Sequence, residues 1–212
     1  MEDDATLGPI SPPLEDVLVE LGDGDETSTL HVALTELSGV DHAVYRAVAS
    51  TPTPTLDVPL RHLSNAANRS MIWLAASGVL AGVGGRRGRR AALAGLTAVG
   101  VASATVNLGL KQLSERERPD RLGAGVIEAR HTKMPQSSSF PSGHSASGFA
   151  FATAVSHEIP ALAVPLRVLA ALVAYSRVHT GVHYPGDTIV GALAGGAVGS
   201  IVGTGFARTR RA

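Results

Sequence analysis

At 212 residues the chain is long enough for one domain with a sizeable core, and it contains no cysteine, which excludes a disulfide framework, a thiolate zinc site and a cysteine nucleophile. Charged residues make up only 17% and aromatic residues 4%, whereas 24 residues are Gly, a composition that is unusual for a soluble enzyme and common in tightly packed membrane helices. The formal net charge is zero, but residues 1–45 hold eleven Asp or Glu and no Lys or Arg, so an acidic segment precedes a basic body.

The N-terminal part of the chain is predicted to precede the membrane-spanning region. Residues 1–28 are rich in Asp, Glu, Pro and Gly and predict a mostly disordered acidic tail with one helical turn at LEDVLVEL. The tail lacks the basic and apolar regions of a signal peptide, so no cleavage is expected. Residues 29–69 are predicted to form an amphipathic, interfacial segment, because the apolar residues of 29–50 recur at a loosely helical spacing.

Apolar segments in the remainder of the chain predict a membrane domain. Five of them fit transmembrane helices, at residues 70–85, 91–110, 144–157, 160–179 and 188–207. The second and the fifth are uncharged runs of 20 residues, which is about the length that a bilayer core requires of a helix. The third and fourth are shorter or interrupted by charged residues and prolines, and a tight turn near 158–160 joins them.

These segments predict an all-α fold, an integral membrane helical bundle of about five transmembrane helices over residues 70–207, followed by a basic tail at 208–212. A buried bundle in a soluble protein is disfavoured, because too few polar faces remain to solvate it. In the fifth segment glycines recur every four residues and form a small face that lets another helix approach closely: Gly191, Gly195, Gly199 and Gly203. We interpret this face as a packing feature.

Most of the remaining charge lies at the ends of apolar segments, in KQLSERERPD (111–120) and SRVHTGVHYPGD (176–187). If the segments alternate in direction, six side chains converge on one face of the membrane: Lys111, Arg118, His144, Arg177, His183 and Asp187. The cations suit a phosphate and the charge that develops on its oxygens, while one histidine can attack phosphorus and the other can protonate the leaving oxygen. Asp187 follows His183 by four residues, close enough to orient the imidazole.

Three motifs occur in order in this region: Lys111-x6-Arg118-Pro119, Pro141-Ser142-Gly143-His144 and Ser176-Arg177-x5-His183-x3-Asp187. Each is weak alone. Together they resemble, without a departure, the signature of the type 2 phosphatidic acid phosphatase superfamily, which includes lipid phosphate phosphatases and the vanadium haloperoxidases.

The resemblance implies a role for each matching residue. The phosphate-binding residues would be Lys111, Arg118, Arg177, Ser142 and the backbone N–H of Gly143, which lies near a helix N-terminus. His183 would be the nucleophile that forms a phosphohistidine, with Asp187 orienting it. His144 would protonate the leaving group and then activate water. The scheme needs no metal and no cofactor.

Some of these residues permit other interpretations. On a continuous helix, His179, His183 and Asp187 would share a face and suggest a metal site, but the glycines and proline of 181–186 argue against such a helix. We expect His179 to pack or to form a structural hydrogen bond. An intramembrane serine protease built on Ser142 would leave the three cations without a use.

The basic run RRGRR at 86–90 is interpreted as a cytoplasmic anchor of the positive-inside kind rather than a nucleic-acid patch, so no nucleic-acid partner is expected. This orientation carries Lys111 and Arg118 to the extracytoplasmic side of the cell membrane. It also leaves the acidic tail outside, and the opposite orientation stays open because the loop after the second segment is basic too. His131 and Lys133, in that loop, are expected to be solvated, with contact to a lipid head group as the alternative.

The hypothesis from sequence is therefore a multi-pass membrane phosphatase whose substrate is a phosphomonoester or diphosphate carried by a lipid. The resemblance implies several lipids, of which we favour polyprenyl phosphates, including polyprenyl-phospho-sugar phosphates, over phosphatidic acid or phosphatidylglycerol phosphate. A vanadate-dependent haloperoxidase is disfavoured, because those relatives resemble soluble enzymes. A non-catalytic lipid-phosphate-binding protein is disfavoured, because binding alone does not require both histidines and Asp187.

Overall fold

The computed structural model describes residues 26–209, which belong to two units that meet between Val40 and Asp41. Residues 1–25 of the predicted acidic tail and residues 210–212 of the predicted basic tail lie outside the described residues. Every regular element between 26 and 209 is helical, which confirms the predicted all-α fold.

Helix α1, Glu26–Ser50, begins in the first unit and ends in the second. Within the first unit its exposed side chains include the apolar residues Val32, Leu34, Leu37 and Val40. The spacing of these apolar residues is the pattern that predicts the amphipathic segment. The location of this segment at a membrane interface stays a prediction.

The described part of the second unit continues with six helices: α2 (Pro54–Ala66), α3 (Met71–Val83), α4 (Gly85–Ala104), α5 (Gly143–Glu158), α6 (Ala163–His179) and α7 (Pro185–Thr209). Short turns of 3-10 helix at Asn68–Ser70 and Pro160–Leu162 connect α2 to α3 and α5 to α6. The second of these lies at the predicted tight turn. A long loop that contains the 3-10 turn Glu128–Arg130 precedes α5.

Three helical segments of the described residues are long and apolar enough to cross a membrane: Gly85–Leu113, Pro160–His179 and Pro185–Thr209. They correspond to the second, fourth and fifth predicted segments. The first and third predicted segments form α3 and α5, which have 13 and 16 residues, fewer than the roughly 20 that a helix needs to span a bilayer core. The count of five spans therefore stays a prediction.

The boundaries between α5, α6 and α7 follow from their sequences. Ser142 caps α5, because its Oγ accepts a hydrogen bond from the N–H of Ser145 at 3.5 Å. Helix α6 ends at His179, and Gly181 adopts φ +67°, a conformation that favours glycine. Pro185 begins α7, where its missing N–H costs no helical hydrogen bond. The break between α6 and α7 thus falls at the residues that argue against a continuous helix.

Helix α5 packs against α4, α6 and α7. Its contact with α7 depends on the glycine face, because a Cβ on any of the four glycines would collide with α5 or its cap: Gly191 with Ser142, Gly195 with Ala146, Gly199 with Ala150 and Gly203 with His157. Small residues therefore allow the two helices to lie close together. The close packing also holds the first turns of α5 and α7 side by side.

Helix α2 packs against α6 and contributes buried polar side chains to the core. Asp57 accepts a hydrogen bond from Nε of Arg130 at 2.7 Å, and both side chains are buried. The remaining guanidinium nitrogens of Arg130 donate to the carbonyl oxygens of Val48, Ala49 and Thr51 and to Oγ1 of Thr53. Arg130 thereby joins the loop before α5 to the connection between α1 and α2.

Candidate active site

A cavity of about 290 Å³ lies where α4 ends and α5 begins. It is lined by Ala67, Arg69, Ser70, Ser103, Asn107, Lys111, Arg118, Pro135, Ser137, Gly143, His144, Ser147 and His183. Five residues predicted for the site are among them: Lys111, Arg118, Gly143, His144 and His183. The other three, Ser142, Arg177 and Asp187, are buried and do not line the cavity.

The backbone of α4 changes its hydrogen-bond pattern as it reaches the cavity. Residues Thr105–Gly109 form a π-helical turn and Leu110–Leu113 a 3-10 turn, irregularities that are frequent at functional sites. Asn107 lies in the first turn and Lys111 in the second, and both line the cavity. Nζ of Lys111 donates a hydrogen bond to Oγ of Ser137 at 3.1 Å, so the ammonium is held on the wall of the cavity.

Arg118 lies in the loop after α4 and is fixed by backbone carbonyls. Its Nε donates to Ser137 O at 2.9 Å, and its Nη1 donates to Val182 O at 2.7 Å. The same Nη1 lies 3.4 Å from Nε2 of His183. A guanidinium nitrogen can only donate, so the Nε2 that faces it is the unprotonated nitrogen of a neutral imidazole.

His183 lies in the connection between α6 and α7 and is only 2% exposed. Its Nδ1 donates to Oδ2 of Asp187 across 3.4 Å, at the long end of hydrogen-bond distances. The carboxylate of Asp187 keeps the proton of His183 on Nδ1. Nε2 is then unprotonated and faces the cavity, next to Arg118. The pair therefore presents a nitrogen lone pair beside fixed cations.

Burial lowers the pKa of His183 to about 4. The hydrogen bond with Asp187 raises this pKa, while the charges of Arg118 and Arg177 lower it further. His183 is therefore neutral at physiological pH, the state in which an imidazole nitrogen can act as a nucleophile.

His144 lies in the first turn of α5 and has a different environment. Its Nε2 lies 3.1 Å from Oδ1 of Asn68, in the 3-10 turn before α3. An amide oxygen can only accept a hydrogen bond, so Nε2 of His144 carries a proton in this arrangement. The cavity is thus lined by one histidine whose Nε2 is unprotonated and another whose Nε2 carries a proton.

Arg177 and Ser142 are buried beside the cavity. Arg177 is 1% exposed, and its Nη1 donates to Oγ of Ser64 at 2.6 Å and to Ser64 O at 3.2 Å. Its Nε is buried without a hydrogen-bond partner among the described residues. Ser142 caps α5, and its Oγ also accepts a hydrogen bond from Ser145 Oγ. Two other residues of the Pro141–His144 motif, Gly143 and His144, line the cavity.

Asp187 is fully buried and surrounded by donors that the motif analysis does not identify. Its Oδ1 accepts from Nη1 of Arg116 at 2.8 Å, and its Oδ2 accepts from Ser139 Oγ and from the N–H of Tyr184. Arg116 also donates from Nη2 to Asp41 Oδ2 at 2.6 Å and stacks over the ring of Tyr184. The charged sequence SERERPD places Arg116 near the site, but nothing in the motif distinguishes it from its neighbours.

The other histidines named from the sequence do not reach the cavity. Nε2 of His179 lies 2.9 Å from Thr53 Oγ1 and 3.2 Å from Asp57 Oδ1. His179 therefore has a structural role and does not lie beside His183. Nε2 of His131 lies 2.9 Å from Val126 O. Across residues 26–209, no three His, Asp or Glu side chains are grouped closely enough to suggest a metal site.

Residues 91–211, which include all three motifs, match the family model of the PAP2 superfamily. The chain belongs to the PAP2 superfamily. The match confirms the resemblance drawn from the three motifs.

Two curated proteins named decaprenylphosphoryl-5-phosphoribose phosphatase, from two strains of Mycobacterium tuberculosis, are similar to this PAP2 chain. Each is 39% identical over 106 residues, a region that covers 48% of this chain and 56% of the relative. The chain therefore spans about half the length of the curated relatives that it matches.

Two solved structures share the fold. A transmembrane PAP2 type phosphatidylglycerolphosphate phosphatase from Bacillus subtilis superposes with a TM-score of 0.65 at 24% identity, over 82% of this chain and 87% of that chain. LpxE from Aquifex aeolicus superposes with a TM-score of 0.58 at 27% identity, over 77% of this chain and 94% of that chain. The membrane-protein fold and the apolar helices together identify this PAP2 chain as a membrane protein.

Proposed function

We propose that this protein is a membrane phosphatase that hydrolyses a lipid-linked phosphomonoester or diphosphate through a phosphohistidine on His183. One observation carries the proposal: His144 and His183 line the same cavity as Lys111 and Arg118, with opposite protonation at the Nε2 atoms. A nucleophile, a proton donor and two cations in one cavity are the parts that metal-free phosphoryl transfer requires.

In the first step, Nε2 of His183 attacks phosphorus and a nitrogen–phosphorus bond forms as the bond to the leaving oxygen breaks. Asp187 holds the proton on Nδ1 and stabilises the imidazolium character that develops. His144, protonated on both ring nitrogens for this step, gives its Nε2 proton to the leaving oxygen, so the lipid alcohol departs neutral and His144 becomes the neutral base of the second step. Before the transfer, Nε2 of His144 is held by its hydrogen bond to Asn68.

In the second step, His144 accepts a proton from water, and the oxygen of that water attacks the phosphorus of the phosphohistidine. The nitrogen–phosphorus bond breaks, inorganic phosphate leaves, and His183 returns to its neutral state. The low pKa of His183 assists this step, because a weakly basic nitrogen is a better leaving group.

The cations would hold the phosphoryl oxygens during both steps. Lys111 and Arg118 line the cavity in fixed positions, which supports electrostatic stabilisation without reorganisation. Arg177 is anchored through Nη1 to Ser64, and its unpartnered Nε is a buried donor that a phosphoryl oxygen would satisfy. The N–H of Gly143, at the start of α5, is a further donor for the anion.

We favour a polyprenyl phosphate or a polyprenyl-phospho-sugar phosphate as the lipid. The support is the similarity to the relatives named decaprenylphosphoryl-5-phosphoribose phosphatase, whose sequences are 39% identical over the matched region. Phosphatidic acid and phosphatidylglycerol phosphate follow as candidates, the second because the Bacillus subtilis protein with this fold is called a phosphatidylglycerolphosphate phosphatase.

The proposed active site faces the extracytoplasmic side of a multi-pass protein. Nε of Arg87 donates to Glu158 O at the end of α5, and Nη2 of Arg90 donates to Phe206 O near the end of α7. The cavity and Asp187 lie at the first turns of the same two helices. The basic cluster and the cavity are thus at opposite ends of α5 and α7, and the positive-inside rule puts the basic end in the cytoplasm.

Phosphate release by the purified protein tests the proposal. The panel contains polyprenyl phosphates, phosphatidic acid, phosphatidylglycerol phosphate and a water-soluble phosphomonoester, each with and without EDTA. We expect release from the lipids, fastest from the polyprenyl class, and no effect of EDTA. Activity confined to the water-soluble ester would contradict the lipid assignment, and loss of activity in EDTA would contradict the metal-free chemistry.

A further inference from the structure

We propose that Arg69 and Lys133 form a second anion subsite beside the catalytic cavity, and that it binds a phosphodiester within the substrate that is not hydrolysed. The proposal rests on the proposed function, since it assigns the substrate class of the same site. Such a subsite would favour lipids that carry a terminal phosphomonoester and an internal phosphodiester, with a hydroxylated spacer between the two.

Arg69 connects the catalytic cavity to a neighbouring cavity of about 700 Å³. It lines both, together with Pro135. Its side chain is exposed and forms no hydrogen bond or ion pair within residues 26–209, whereas Lys111, Arg118 and Arg177 are all engaged with protein oxygens. Arg69 is therefore an uncompensated cation at the junction of the two cavities.

The backbone at this point adopts an uncommon conformation. Arg69 and Ser70 have φ of 53° and 60°, in the left-handed region that non-glycine residues rarely enter, and still less in succession. Such positions are concentrated at binding and catalytic sites, where the surrounding structure maintains them. Helix α3 begins at the next residue, Met71, so the positive end of its dipole also lies at the second cavity.

The residues around the second cavity suit an anion that carries hydroxyl groups. Its lining comprises Asn65, Asn68, Arg69, Met71, Lys133, Met134, Pro135 and Gln136. Two cations and three amides are present in this lining, and none of its residues is acidic. Amide groups both donate and accept hydrogen bonds, as a sugar or glycerol spacer requires.

A third cavity of about 750 Å³ also adjoins the catalytic one, and its charge differs. Glu115 and Glu117 line it beside Lys111, Arg116 and Arg118, and Arg116 is already paired with Asp41 and Asp187. A second phosphoryl group would meet two carboxylates there. The cavity lined by Arg69 and Lys133 is therefore the more favourable place for a second anion.

The test compares two lipids with identical acyl chains. Phosphatidic acid has one phosphoryl group, whereas phosphatidylglycerol phosphate adds a phosphodiester and a glycerol spacer. The measured quantity is the ratio of kcat/KM for phosphatidylglycerol phosphate to that for phosphatidic acid, in the full-length protein and in R69Q, K133Q and the double variant. Arg46→Gln is the control, because Arg46 is exposed and lines none of these cavities.

We expect the ratio of the two kcat/KM values to fall by about tenfold or more in the double variant, because charge-assisted hydrogen bonds to the phosphodiester are lost. The fall should come mainly from a higher KM for phosphatidylglycerol phosphate. Each single variant should give part of the change, and Arg46→Gln should give none. If the double variant keeps the wild-type ratio, the proposed subsite is wrong. This holds whether kcat/KM falls equally for both lipids or for neither.

A binding measurement separates failure of the subsite from failure of the proposed function. Wild-type protein that hydrolyses neither these two lipids nor a polyprenyl phosphate refutes the function, and thermal stabilisation by each of the two lipids then decides the subsite. Stronger stabilisation by phosphatidylglycerol phosphate that is lost in the double variant supports it. Equal stabilisation by both lipids in the wild type overturns it.

Discussion

Arg116 donates a hydrogen bond from Nη1 to Oδ1 of Asp187 across 2.8 Å, while His183 donates to the other carboxylate oxygen. Arg116 is itself fixed by Asp41, at 2.6 Å, and Asp41 accepts a further hydrogen bond from the N–H of Gly186. Helix α1, the loop after α4 and the start of α7 are thus joined behind the histidine. The orientation of His183 depends on this network.

Replacing Arg116 by Gln is expected to lower kcat by about tenfold to a hundredfold, because it removes charge-assisted hydrogen bonds from the carboxylate that orients the nucleophile. Arg116 acts through Asp187, so KM should change much less than kcat. Arg116→Lys, which keeps the charge, should recover part of the activity. Steady-state kinetics on one lipid phosphate measure both values. An increase in KM with unchanged kcat would instead indicate that Arg116 binds substrate.

The low pKa of His183 predicts the acid side of the pH profile. Because the folded-state pKa is about 4, below the ordinary value of 6.5, His183 stays neutral and nucleophilic well below pH 6. We expect the acid limb of kcat/KM that belongs to His183 to fall nearer pH 4 than pH 6.5. An acid limb at pH 6.5 that does not follow the ionisation of the substrate phosphate would contradict the assignment.

The same shift predicts how folding stability changes with pH. A histidine whose pKa is lower in the folded state binds more protons when unfolded, so stability falls as pH decreases from about 6.5 toward 4. The contribution lost is on the order of 3 kcal/mol for a shift of this size.

The sequence predicts the convergence of Lys111, Arg118, His144 and His183 correctly, because alternating helix directions alone bring their segment ends together. The bonds that position them are not predictable in this way. Asn68, Ser64 and Asp41 contact His144, Arg177 and Arg116 across 75 or more residues. These contacts depend on how α1 and α2 dock onto the other helices, which local patterns do not encode.

The contact between α5 and α7 predicts a contrast between two adjacent glycines. A Cβ at Gly195 would collide with the backbone of Ala146, whereas a Cβ at Gly196 has no atom within 4 Å. Gly195→Ala should therefore destabilise the protein by about 1–3 kcal/mol and reduce activity, since it separates His144 from Asp187. Gly196→Ala should be neutral or slightly stabilising. Thermal unfolding in detergent measures both. Equal unfolding temperatures for the two variants would contradict the close packing.

The glycine face also shows what spacing alone leaves open. The repeat Gly191, Gly195, Gly199 and Gly203 predicts a close helix neighbour without identifying it, and α5 of the same chain takes that place. Ser142 is a comparable case. The motif that contains it predicts phosphate contact, which stays a prediction, and the structure adds that its Oγ accepts hydrogen bonds at the cap of α5.

The proposed orientation can be tested directly because the chain contains no cysteine. Leu122→Cys introduces a thiol in the exposed loop before α5, and Arg86→Cys introduces one in the basic cluster in the first turn of α4. In intact cells a membrane-impermeant maleimide should label the first variant and leave the second unlabelled until the cells are lysed. The reverse pattern would place the active site in the cytoplasm.

The proposed mechanism requires His183 to form a covalent phosphoenzyme with a lipid phosphate. The decisive measurement is trapping of radiolabelled phosphate on the purified protein after a brief reaction with a lipid substrate that carries the label on its terminal phosphoryl group. We expect an acid-labile, base-stable label on His183, together with loss of label and of phosphate release in His183→Ala. A His183→Ala protein that releases phosphate at the wild-type rate would contradict the mechanism.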